Sequence, residues 1–113
     1  MKIIITLVLT TLLASGASAH SKVNTTTPPN NSILANVPTQ IEFGFANKIR
    51  LTKVEVSHDT NPAVAIEIGG QTGFEQMYTM PLQDFGDGSY FVRWRGLGMD
   101  GHAVQGEFSF EVN

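Results

Sequence analysis

The 113-residue chain holds 3 histidines, His20, His58 and His102, and no cysteine. Disulfides, Cys-zinc sites, iron–sulfur clusters and thiol catalysis are therefore excluded. Metal chemistry, if present, falls to imidazole, carboxylate and thioether groups. His102 closes the run Met99-Asp100-Gly101-His102. Asp100 and His102 are two apart, so in extended backbone they project to the same side. Gly101 between them has no Cβ and permits a sharp bend. A carboxylate and an imidazole converging from one short loop are metal ligands by type and spacing. Asp-Gly is also a common turn pair, and the motif alone favours a turn in which the histidine only caps or packs. No nucleophile–histidine–acid set is legible that would support hydrolysis.

His20 acquires chemistry from what precedes it. The chain opens Met1-Lys2, runs through an apolar stretch over residues 3–13, and turns small at Ala14-Ser15-Gly16-Ala17-Ser18-Ala19. A charged start, a short apolar run and an A-x-A ending describe a secretory signal peptide, residues 1–19, cut after Ala19. The run is too short for a membrane span, which needs about 20 apolar residues, and nothing later in the chain is longer. The mature chain is then expected to be exported and to span residues 20–113, with His20 at its N-terminus. A free α-amine and an imidazole on one residue can grip one metal ion together. The amine's reference pKa of about 7.7–8.0 lets a tightly bound divalent metal displace its proton near neutral pH. Taken alone, an N-terminal histidine reads as an accident of the cut.

The elements that must position these groups read as strands and turns, with no helical stripe of useful length. Residues 39–45 alternate and put Ile41, Phe43 and Phe45 on one face. Residues 50–57 carry Leu51, Val54 and Val56 inward with Lys53 and Glu55 outward, and residues 63–68 set Val64, Ile66 and Ile68 against Glu67. Residues 90–95 bury Tyr90, Val92 and Trp94 and leave Arg93 and Arg95 as an exposed basic pair. The last strand, residues 106–112, buries Phe108, Phe110 and Val112. Turn chemistry separates them at Pro28-Pro29-Asn30-Asn31-Ser32, His58-Asp59-Thr60-Asn61-Pro62, Gly69-Gly70 and Gly86-Asp87-Gly88. Short alternating strands between turns predict an all-β antiparallel sandwich or barrel. Met77 and Met80, three apart, offer soft sulfur, but their stretch reads as an ordinary strand with both methionines packing.

Composition agrees with one small folded domain. Hydrophobic residues make up 42% and charged residues 15%, against disorder. The formal charge is −3, and −4 once Lys2 leaves with the leader, so nucleic acid is not expected as a partner.

From His20 onward the chain resembles the CopC family of periplasmic copper-binding proteins. The resemblance rests on an N-terminal His followed by a Thr-rich stretch and a proline turn, His20-Ser21-Lys22-Val23-Asn24-Thr25-Thr26-Thr27-Pro28-Pro29. It continues in Pro38-Thr39-Gln40-Ile41-Glu42-Phe43-Gly44-Phe45 and in Gly88-Ser89-Tyr90-Phe91-Val92-Arg93-Trp94-Arg95. It closes on Asp100-Gly101-His102-Ala103-Val104-Gln105-Gly106-Glu107-Phe108-Ser109-Phe110-Glu111-Val112.

The resemblance implies a small Greek-key sandwich, immunoglobulin-like or cupredoxin-like. It also implies one Cu(II) held by the amine and imidazole of His20 with Asp100 and His102. Two imidazoles, an amine and a carboxylate suit Cu(II), which heads the divalent affinity order. A monomeric periplasmic carrier for copper resistance, homeostasis or delivery follows, with an inner-membrane copper-import protein as partner and no enzymatic activity. Three departures from the family pattern stand out. Asn47 occupies the place of an acidic residue that relatives often carry near the copper. The loop over residues 57–62 lacks the methionines of a Cu(I) site, so His58 reads as a solvent-facing loop residue and not a ligand. Met99 precedes Asp100 where a small residue is usual, and reads as packing with a weak axial thioether as its other use. Two alternatives from other classes are a copper-brace oxidative enzyme resembling polysaccharide monooxygenases and a metal-free structural sandwich.

Overall fold

The alternating stretches form strands because each can bury one side chain in two while pairing its backbone with a neighbour. The computed structural model describes residues 23–71 and 73–113; the leader, its cut and His20 lie outside them. Its strands are β1 (Val23–Thr27), β2 (Ser32–Leu34), β3 (Gln40–His58), β4 (Val64–Ala65), β5 (Phe74–Pro81), β6 (Gly88–Gly98) and β7 (Ala103–Val112). No helix occurs among the described residues. The order along the sheet is β1-β3-β6-β7-β2, with β4 and β5 also paired to β3.

The expected all-β sandwich is present, and β3 is its hinge. The first part of β3 is flanked by β1, through Phe45 opposite Val23, and by β5, through Phe43 opposite Tyr78. Past an irregularity between Gly44 and Ile49 it keeps β5 on one side only through Glu75 opposite Ile49 and Phe74 opposite Arg50, and takes up β6 on the other, from Ile49–Gly98 to His58–Tyr90. Two expected strands are thus one strand that passes from one layer to the other over Ala46-Asn47-Lys48, all three exposed. The Tyr78 hydroxyl fixes this change of layer, donating to the Ile49 carbonyl at 2.6 Å and accepting from the Leu51 N–H at 3.2 Å.

The two layers face each other through aromatic rings. Phe43 is fully buried, with ring centroids 6.0 Å from Phe108 and 6.4 Å from Trp94, and Phe45 meets Trp94 edge-on at 4.8 Å. The indole of Trp94 lies over its cross-strand partner Gly106, where an added Cβ would fall 2.7 Å from the ring. Only glycine leaves room for it there. A second irregularity, between Leu51 and Lys53, makes Thr52 an extra residue against β6 and lets Leu51, Val54 and Val56 all face inward.

Three expectations need correcting. The strand expected over residues 63–68 shrinks to Val64–Ala65, and Val64 is exposed while Ile66 and Ile68 pack against the core. β2, not foreseen, pairs parallel with β7 in an otherwise antiparallel arrangement. His58 is not a solvent-facing loop residue. It ends β3, its side chain is 12% exposed, and its ring packs against Tyr90 and Phe85. The Nε2–H donates to the Asp87 carbonyl at 2.7 Å, so this nitrogen closes a loop and is not offered to a metal.

Candidate metal centre

The β6–β7 hairpin turns through residues 98–102. The Gly101 N–H donates to the Gly98 carbonyl at 3.0 Å, and the Gly98 N–H donates to the His102 carbonyl at 2.9 Å. Gly101 has φ +84°, the left-handed region where a side chain is strained. Asp100 and His102 therefore do not meet by extended alternation; the turn folds one onto the other. One carboxylate oxygen of Asp100 accepts the His102 backbone N–H at 3.1 Å, and the other lies 2.8 Å from His102 Nδ1. With Nδ1–H donating to the carboxylate, Nε2 of the neutral ring is left with its lone pair free. The His102 side chain is 83% exposed and that of Asp100 69%. An open imidazole nitrogen beside a carboxylate, oriented by a glycine-stabilised turn, can take a cation from solution.

The hydrogen bond to His102 holds the Asp100 carboxyl below its usual range, and the same contact raises His102 above its ordinary value of 6.5. The raised group contributes its stabilisation below the ordinary histidine value and loses it as pH rises through the raised one. The depressed carboxyl contributes above the ordinary aspartate value and loses its share as pH falls through the lowered one. The pair is thus complete between those two ordinary values. Because a metal needs the unprotonated ring, uptake here expels a proton and strengthens with pH up through the raised value. Proton NMR of the metal-free chain should show His102 titrating with a midpoint above 6.5, falling back toward it in Asp100→Asn. A midpoint at or below 6.5 in the unsubstituted chain would contradict the pairing.

Among the described residues no group of three or more histidine, aspartate or glutamate side chains could hold a metal. Asp100 and His102 are two ligands of the expected set, and the third, His20, lies outside. β1 begins at Val23 opposite Phe45, and the 98–102 turn begins at Gly98 opposite Ile49. These register positions flank the change of layer in β3, and Asn47 lies exposed between them.

The methionines separate. Met80 is buried in the core as expected, but Met77 is 55% exposed and Met99 71% exposed, so neither of these packs. On a strand, residues three apart face opposite sides, so Met77 and Met80 cannot share one ion. Sequence reasoning also missed the packing role of His58, for which only the neighbouring aromatics Phe85 and Tyr90 gave any signal.

Comparison with known proteins defines the class. The family model described as the CopC domain matches residues 23–113. The chain belongs to the CopC family, and with membership comes a copper-binding role. It is 28% identical over 110 residues to copper resistance protein C of Pseudomonas syringae pv. tomato, covering 89% of this chain and 86% of that one. To copper resistance protein C of Escherichia coli it is 27% identical over 111 residues, covering 88% and 86%. Its fold superposes on CopC from Methylosinus trichosporium OB3b with a TM-score of 0.69 at 22% identity, covering 83% of this chain and 94% of that one. PcoC from Escherichia coli, described as a methionine-rich copper resistance protein, aligns with a TM-score of 0.57 at 20% identity, covering 83% and 99%.

Proposed function

We propose that the chain is a periplasmic Cu(II) carrier, and not an enzyme, that binds one ion through the amine and imidazole of His20 together with Asp100 and His102. The observation that carries the reading is the Asp100–His102 pair, a carboxylate and an imidazole 2.8 Å apart in an exposed turn, whose hydrogen bond the ion would replace for both to ligate it. Reach supports the third ligand. His20 is three residue steps upstream of Val23, a reach of at most about 10 Å when extended. Phe45 and Ile49, which mark the start of β1 and the turn, are four residues apart on β3, at most about 13 Å. β1 runs antiparallel to β3, so Val23 is the end of β1 nearer the turn.

Nitrogen-rich donors favour Cu(II) over Zn(II). Family membership supports the periplasmic location, and removal of residues 1–19 supplies the free amine. The names of the relatives support a role in copper resistance or supply, with an inner-membrane import protein as the proposed recipient. Among the described residues no helix is long and apolar enough to cross a membrane.

The chain beginning at His20 should bind one equivalent of Cu(II) and hold it against a tenfold excess of Zn(II), on the order the affinity series requires. Electron paramagnetic resonance should show a tetragonal, nitrogen-rich signal. Displacement by Zn(II), or a signal from aqueous copper alone, would contradict the proposal.

A further inference from the structure

The charges of the long β3–β6 ladder are segregated. At one end, where His58 pairs with Tyr90, stand Asp59, Asp84 and Asp87; the Tyr90 hydroxyl is pushed above its ordinary value first by burial and further by these three carboxylates. Toward the other end, about 17 to 26 Å along the ladder at strand spacing, stand the cations. Arg50 is opposite Leu97, and Lys53 is opposite Arg95, two residues along β6 on the same outward face. Arg50, Lys53 and Arg95 are exposed, as is Lys48 at the change of layer. Phe74, opposite Arg50 on β5 and 39% exposed, continues the row as apolar surface.

Nearby carboxylates neutralise only part of this face. Glu55 reaches Lys53 at 3.7 Å, and Asp100 is committed to His102. Among the described residues no carboxylate forms an ion pair with Lys48, Arg50 or Arg95. Arg93, by contrast, is paired with Glu107 at 3.2 Å. A chain of net charge −3 thus presents a basic, partly apolar face beginning at Leu97, beside Gly98, where the Asp100–His102 turn starts.

We propose that this face is a docking surface for an acidic segment of a partner protein, which it seats next to the metal turn. The inference rests on the copper reading for its purpose, since a recipient must bring its own ligands to that turn. Segregated charge orients encounter so that the cationic end leads toward carboxylates. A protein segment fits better than an anionic membrane, because the Arg93–Glu107 pair on the same sheet face and the net negative charge of the chain oppose a uniformly negative plane.

The test is an amide NMR titration of the metal-free chain beginning at His20 with a short polyglutamate peptide at low ionic strength. Shifts should concentrate at residues 48–53 and 94–98 and vanish with added salt. Arg50→Gln with Arg95→Gln should weaken binding on the order of tenfold, whereas Arg93→Gln should change it by less than about twofold. The amide spectrum itself reports whether each variant is folded. Shifts at the Asp59–Asp87 end, shifts spread evenly, no shifts, or an unchanged affinity in the double variant would overturn the proposal. Binding to phosphatidylglycerol vesicles without a response to the peptide would overturn it in favour of a membrane contact. A Cu(II) titration of the same samples separates the two readings. Loss of peptide binding with Cu(II) binding intact in the double variant supports a separate docking face. An unsubstituted chain that fails to bind Cu(II) overturns the copper reading whatever the peptide does.

Discussion

His102→Ala is expected to lower Cu(II) affinity more than about a hundredfold while leaving the fold in place. The imidazole is one of few nitrogen donors available, in a chain whose other described histidine, His58, spends its Nε2–H on the Asp87 carbonyl. Loss of a direct ligand should exceed the tenfold to hundredfold that removing a supporting partner typically costs. The side chain is 83% exposed, so its removal opens no cavity. Asp100→Asn should fall between the two, since it keeps an oxygen near the site but loses the charge that orients the ring and attracts the ion. Competition titrations against a chelator of known affinity measure both effects, with thermal melts of the metal-free variants as the check on folding. Unchanged affinity in His102→Ala would remove this residue from the site.

Phe43→Ala should cost about 3–5 kcal/mol of folding stability, as large aromatic truncations in tight cores do. Phe43 has no exposed surface, and its ring centroid lies within 6.4 Å of those of Phe45, Tyr78, Trp94 and Phe108. It is therefore, with Phe45, a residue through which the β1–β3–β5 layer grips the β6–β7 layer. A domain of this size has a total of about 5–15 kcal/mol and no disulfide to fall back on, so the variant should stand close to its unfolding midpoint at physiological temperature. Urea denaturation followed by Trp94 fluorescence gives the value. Saturating Cu(II) should recover part of it, because an ion that binds only the folded chain stabilises it by mass action. A loss below about 1 kcal/mol would mean that the layers do not meet through this ring.

The core was legible because its strands obey simple alternation. Ile41, Phe43 and Phe45, then Tyr90, Val92 and Trp94, then Phe108, Phe110 and Val112 are all buried as their spacing requires. What escaped depends on pairing at a distance. Nothing in the polar run Ala46-Asn47-Lys48 says that one strand crosses it, because the crossing is held by Tyr78, which reaches Ile49 and Leu51 from β5. β2 has three residues, one of them the exposed Ile33, and exists only because β7 lies alongside. The site divides in the same way. The residue types in Asp100-Gly101-His102 announce a turn with ligand chemistry. The direction of the imidazole follows from a hydrogen bond that spacing alone does not specify. Met77 and His58 were misplaced for a related reason: which face a residue takes on a strand, and which rings gather round it, are settled by partners far along the chain.

The central claim is that the α-amine of His20 completes a Cu(II) site with Asp100 and His102. Its most direct test is a Cu(II) titration of two chains, one beginning at His20 and one carrying a single additional residue before it, each followed by Trp94 fluorescence and electron paramagnetic resonance. Tight one-to-one binding by the first, with loss of tight binding and a changed nitrogen pattern in the second, is the predicted result. Equal affinity and identical spectra for the two chains would contradict it and move the copper to other ligands.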